Sequence, residues 1–220
     1  NPNGVYLKED EWARLQDLCR RRGWAVISDE VFSPYATAPD PHRVECAAAK
    51  TGVLTFSLGG LSKWAGLPQL KLGWIRVGGP EALVQQALAR LEIIADTYLS
   101  VSTPVQWALP RLLAAGAGVQ QGIRRRVQSN REVAQEETVG SPCRLVRSEG
   151  GWSAVLHVPS LRSGEQWALE LLAQDGVLVH PGYFYDFPRE AFLVLSLLPP
   201  ETVFGDGIRR LVARIQEGAS

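Results

Sequence analysis

Between residues 9 and 28 the hydrophobic period of this chain changes once, and that change restricts the fold more than any other feature. Trp12, Leu15, Leu18 and Cys19 recur at helical spacing over residues 9–22. Glu9, Asp10 and Glu11 open the segment and Arg20, Arg21 and Arg22 close it, which complements the helix macrodipole. Gly23 supplies a left-handed stop. The next residues, Trp24-Ala25-Val26-Ile27-Ser28, form a short apolar run suited to a buried strand. A helix feeding a buried strand is the alternation of an α/β fold.

The same grammar continues. Val53-Leu54-Thr55-Phe56 and Leu72-Gly73-Trp74-Ile75-Arg76-Val77 read as strands, separated by a glycine-punctuated loop from Gly59 to Gly66 that contains Lys63. Helical patterns follow over 80–97, 104–115 and 118–138. Further on, Leu145-Val146, Trp152–Leu156, Val177–Val179 and Phe192–Leu195 read as strands. Ser163 and Gln166 form a capping-box signature before a helix with Trp167, Leu169 and Leu172. A last helix carries Phe204, Ile208, Leu211 and Ile215. This pattern predicts two domains, over 1–124 and 125–220, the second a small α+β domain.

Composition narrows the partners. The 23 basic and 23 acidic residues cancel, so bulk charge argues against nucleic acid or an anionic membrane. Arg124-Arg125-Arg126 reads as a solvated helix face. Cys19, Cys46 and Cys143 are odd in number and widely spaced, without a disulfide framework or zinc pattern, which fits a reducing cytoplasm; Cys19 is expected in the core. His42, His157 and His180 form no ligand-like spacing, and no apolar run spans a bilayer. The chain starts at Asn1 and holds no methionine, so a truncated piece of a longer protein is expected.

Chemistry concentrates in three short elements: Asn1-Pro2-Asn3-Gly4, Ser28-Asp29-Glu30-Val31-Phe32 and Gly60-Leu61-Ser62-Lys63. Singly they are ordinary: a turn, a strand-end carboxylate, a lysine in a glycine-rich loop. In this order and spacing they resemble the Asn-Pro-x-Gly, Asp-x-x-Tyr and Ser-x-x-Lys motifs of the class I/II (fold-type I) pyridoxal phosphate-dependent aminotransferases. Leu61–Pro68, Gly150-Gly151-Trp152, Val179-His180-Pro181-Gly182 and Leu195-Ser196 extend the resemblance over essentially the whole chain.

The resemblance implies the C-terminal part of a transferase large domain, a mostly parallel sheet with helices, followed by the small domain. It implies pyridoxal 5'-phosphate as cofactor, Lys63 as catalytic residue, and a pocket containing Asn1, Asp29, Phe32, Ser62, Lys63 and Lys71. Lysine is the side chain whose amine condenses with an aldehyde and later moves a proton. Asp29 would pair with the ring nitrogen and Asn1 with the phenolic oxygen. The implied reaction moves an amino group between an amino acid and a 2-oxo acid, in a homodimer. A carbon–sulfur β-lyase of the same fold, or the effector domain of a transcription regulator, are the alternatives. The family's phosphate loop and ring-stacking aromatic lie upstream of Asn-Pro-x-Gly, outside this chain. Four positions depart from the pattern: Phe32 for tyrosine, Lys71 for the phosphate-binding arginine, Gly60 for serine, and Val194 for the arginine that clamps the substrate α-carboxylate. A lysine replaces the bidentate fork with a point charge.

Overall fold

The computed structural model describes residues 1–50 and 52–219. They divide into two compact units, one of Tyr6–Gln121 and one in which Asn1–Val5 join the chain from Gly122 onward.

In the first unit α1 spans Glu9–Arg22, with three acidic residues in its first turn and three arginines in its last. Glu11 accepts the Lys8 backbone N–H at 2.9 Å. Gly23, at φ 65°, returns its N–H to the Cys19 carbonyl. The helix buries Trp12 and Cys19 against Ala47 and Val53. Leu18, expected on that face, is instead exposed. Strands β1 (Val26–Asp29), β2 (Thr55–Gly60) and β3 (Gly73–Gly78) form a sheet in that order. The β1–β2 pair is parallel and the β2–β3 pair antiparallel. The reading of residues 24–28 as a buried strand needs correction. Among the described residues β1 pairs only with β2, and alternate side chains leave the core: Ile27 is 72% exposed.

Helix α2 (Leu61–Trp64) is a single turn, followed by α3 (Glu81–Thr97) and α4 (Thr103–Thr138). The two helices expected over 104–115 and 118–138 are one, running through Pro110 and Gly116. A proline inside a helix removes a bond and a glycine there costs about 1 kcal/mol relative to alanine. Packing overrides both. Leu109, Leu112 and Leu113 pack against buried Leu61, Ala65 and Leu72, and a Cβ at Gly116 would lie 2.5 Å from that of Ala65.

The second unit is an antiparallel sheet ordered β4 (Arg144–Leu145), β5 (Ser153–His157), β7 (Phe192–Ser196) and β6 (His180–Pro181). Ala154, Leu156, Leu193 and Leu195 face a core completed by the end of α4, by Trp167 of α5 (Gly164–Glu170), and by Phe204, Ile208, Leu211 and Ile215 of α6 (Glu201–Ala219). Ser163 and Gln166 exchange both capping bonds, at 3.1 and 2.9 Å. The strand expected at Val177–Val179 is absent. The Val177 N–H instead bonds the Leu171 carbonyl behind left-handed Gly176, and pairing starts at His180. Arg124, Arg125 and Arg126 lie on an exposed face of α4.

Two polar contacts make this unit testable. Fully buried Asn130 donates from Nδ2 to the Leu197 and Pro199 carbonyls at 3.0 and 2.9 Å. Asn130→Ala strands both acceptors and is expected to cost about 1–3 kcal/mol in urea unfolding. Arg214 grips Asp175 with Nε–Oδ2 at 2.9 Å and Nη2–Oδ1 at 3.0 Å, and the guanidinium holds that carboxyl below its ordinary 3.8. A depressed folded value means the stabilisation is present above the ordinary value and lost as pH falls through the folded one. Asp175→Asn is therefore expected to lower the melting temperature at neutral pH while flattening its decline below pH 3.8, measured by thermal melts across pH.

Candidate active site

Parallel pairing puts the carboxyl ends of β1 and β2 at the same end of the sheet. Asp29, the last residue of β1, stands opposite Leu58, and Gly60, the last of β2, opposite Gly73, the first of β3. The register thus gathers Asp29, the α2 turn with Ser62 and Lys63, and the Lys71 loop at one sheet end, where α/β folds place ligands. The exposed Asp29 side chain is held by its own loop, with Oδ1 accepting the Val31 N–H at 3.2 Å. The Lys63 Nζ lies 5.5 Å from the centroid of the Phe32 ring, within cation–π range. Lys71 is exposed and left-handed, φ 50°.

Glycines shape the entry to the lysine turn. A Cβ at Gly59 would lie 2.3 Å from the Trp74 indole nitrogen, so the indole occupies the space of the missing side chain. At Gly60 a Cβ would sit 3.3 Å from the Leu72 carbonyl, tighter than ordinary contact, which leaves little room for the family's serine.

A carboxylate that motif reading passed over fixes this end of the sheet. Glu30 Oε1 accepts the Ser57 hydroxyl at 2.6 Å and the Ala47 N–H at 2.8 Å, while Ser57 Oγ accepts the Ala48 N–H at 3.0 Å. The one sequence signal was a serine, Ser57, extending an apolar strand at an inward position. Buried Tyr35 was also missed; its hydroxyl donates to the Lys63 carbonyl at 2.6 Å.

Asp29, Phe32, Ser62, Lys63 and Lys71 belong to one compact unit, and Asn1 belongs to the other. Val194, where the resemblance expects an arginine, lies on the β7 face opposite that unit's core. It is buried, with Val155 and His180 as its cross-strand neighbours. His180 pairs through Nδ1 with the Tyr185 hydroxyl at 2.9 Å.

The donor set suits pyridoxal phosphate: an amine for its aldehyde, a carboxylate for its ring nitrogen, an aromatic face beside the amine and a second lysine for its phosphate. Among the described residues no group of three or more His, Cys, Asp or Glu is placed to hold a metal ion.

The chain belongs to the class I and II aminotransferase family, whose model matches residues 1–203. An alanine aminotransferase of Mycobacterium bovis is 23% identical over 220 aligned positions, covering 96% of this chain and 51% of its own. A nicotianamine aminotransferase of Hordeum vulgare is 30% identical over 117 residues, covering 51% of this chain. The solved tyrosine aminotransferase of Leishmania infantum superposes with a TM-score of 0.85 at 19% identity, over 99% of this chain and 54% of that one. The chain spans about half the length of the curated relatives it matches.

Removing the Glu30 carboxylate strands two donors at a part-buried site. Glu30→Ala is expected to cost about 1–3 kcal/mol in chemical denaturation. In a double-mutant cycle Ser57→Ala should add less than its own cost, because the two side chains share one bond.

Proposed function

We propose that this chain is the lysine-bearing part of a pyridoxal phosphate-dependent aminotransferase that moves an amino group between an amino acid and a 2-oxo acid. The observation that carries the reading is the gathering of Asp29, Lys63 and Lys71 at one sheet end in a chain of this family. On this reading residues 1–124 belong to the cofactor-binding domain and 125–220 form the small domain.

Bound there, pyridoxal phosphate supplies an aldehyde for attachment and a ring that draws electrons from the substrate α-carbon. The Lys63 amine would hold the cofactor and, once freed by the incoming amino acid, would take and return the α-proton. The Asp29 carboxylate would keep a proton on the ring nitrogen. Asn1 would hydrogen-bond the phenolic oxygen, Phe32 would wall the amine, Lys71 would hold the phosphate, and Ser62 would line the pocket beside Lys63. Lys71 acts as a point charge, without the fork of an arginine.

A second copy of the chain is the proposed partner. Apolar side chains crowd the α3–α4 connection, where Leu99 is 100% and Trp107 89% exposed beside Tyr98, Ile93 and Ile94. A cleft of about 750 Å³ opens there between Trp74, Tyr98 and Leu109, and apolar patches of this kind mark interfaces. Three free cysteines support a cytoplasmic setting, and among the described residues no helix is long and apolar enough to cross a membrane.

Pyridoxal phosphate added to the whole protein, followed by borohydride reduction and peptide mapping, is expected to label Lys63, and Lys63→Ala to lose the label. Asp29→Asn should keep the label while lowering turnover about 10²–10⁴-fold. Label at another residue, or none, would sink the reading. Pyruvate and ammonia released without an acceptor oxo acid would replace transfer by β-elimination.

A further inference from the structure

Lys63 sits on a helix of one turn, Leu61–Trp64, too short to hold itself. The Leu67 N–H, which a continuing helix would bring to the Lys63 carbonyl, bonds the Leu61 carbonyl instead at 3.2 Å. Pro68 has no N–H to offer Trp64. The last carbonyls of the turn therefore need donors from elsewhere. Gln120 of α4 reaches the Trp64 carbonyl at 3.1 Å, and the Tyr35 hydroxyl reaches that of Lys63 at 2.6 Å.

Tyr35 differs from Gln120 in what stands behind it. It is buried, on a 3₁₀ turn whose N–H groups tie back to Glu30 and Phe32: Ser33 to the Glu30 carbonyl at 2.9 Å, Tyr35 to that of Phe32 at 2.9 Å. The Phe32 carbonyl also accepts the Tyr6 hydroxyl at 2.9 Å. One end of this brace is the loop that begins at Asp29; the other is the backbone of the lysine. We propose that Tyr35 is a positioning residue that sets the Lys63 amine beside the Phe32 ring, at the sheet end that carries Asp29, its hydroxyl acting on the lysine main chain. The inference rests on Lys63 being the cofactor lysine.

Tyr35→Phe deletes the hydroxyl and keeps the ring. In the whole protein without cofactor, amide exchange of residues 61–66 should quicken about five- to tenfold, the size of one hydrogen bond. With pyridoxal phosphate added, the rate of borohydride-trapped label at Lys63 should fall by a similar factor. Tyr35→Ala, which also removes the ring, should lower the melting temperature much further. Unchanged exchange or unchanged labelling in Tyr35→Phe, with loss only in Tyr35→Ala, would reduce Tyr35 to core packing and overturn the inference. A wild-type protein that takes no label at Lys63 would overturn the functional reading, and this inference with it. A wild type that labels beside a Tyr35→Phe that labels equally fast would overturn this inference alone.

Discussion

The parallel register of β1 on β2 is the constraint on which the rest of the site depends. Asp29 and Lys63 are brought to one end of the sheet only because Val26–Asp29 run beside Thr55–Leu58 in that alignment. Side chains alternate along a strand, so a slip of one residue would carry the Asp29 carboxylate to the other face. Parallel strands also need a long crossover, and the described residues between β1 and β2 supply it with short 3₁₀ turns at Ser33–Tyr35 and Ala47–Ala49. Glu30 compensates. By gripping Ser57 and the backbone at Ala47 from the end of β1, it pins both the register and the returning chain.

Features whose causes are local were legible in the sequence. The charge gradient and glycine stop of α1, the Ser163–Gln166 box and the apolar stripe of α6 all appear as read. What sequence missed was decided by distant contacts. A helix break at Gly116 is a sound local expectation, yet the close approach of Ala65 makes glycine the residue that fits there. Val177–Val179 has strand composition, but the bond from Val177 to Leu171 takes its backbone first. The candidate site divides the same way. The order of Asp29 and Lys63 is visible in one dimension, whereas Glu30 and Tyr35 act through partners many residues away along the chain.

The departures from the family pattern acquire physical content in the structure. Phe32 meets the lysine head with a ring face where a tyrosine would add a hydroxyl. Gly60 is extended, φ −179°, so its benefit is space beside Leu72 rather than backbone freedom. Val194 continues an apolar row with Val155 across the sheet. With Val155 on one side and His180 on the other, the position is closed to solvent.

Gly4 is left-handed, φ 62°, and stands so near Gly150 that a Cβ would fall 2.0 Å from that carbonyl, while its own carbonyl accepts the Glu149 N–H at 2.8 Å. The unit that holds Asn1–Val5 is therefore built from segments made at different times. On a ribosome adding about 5–20 residues per second, the early segment waits on the order of ten seconds for its partner to emerge. Tyr6–Gln121 has all its own residues by then. Synthesis itself imposes an order of assembly: residues 1–5 find their place only after the chain around Gly150 has been made.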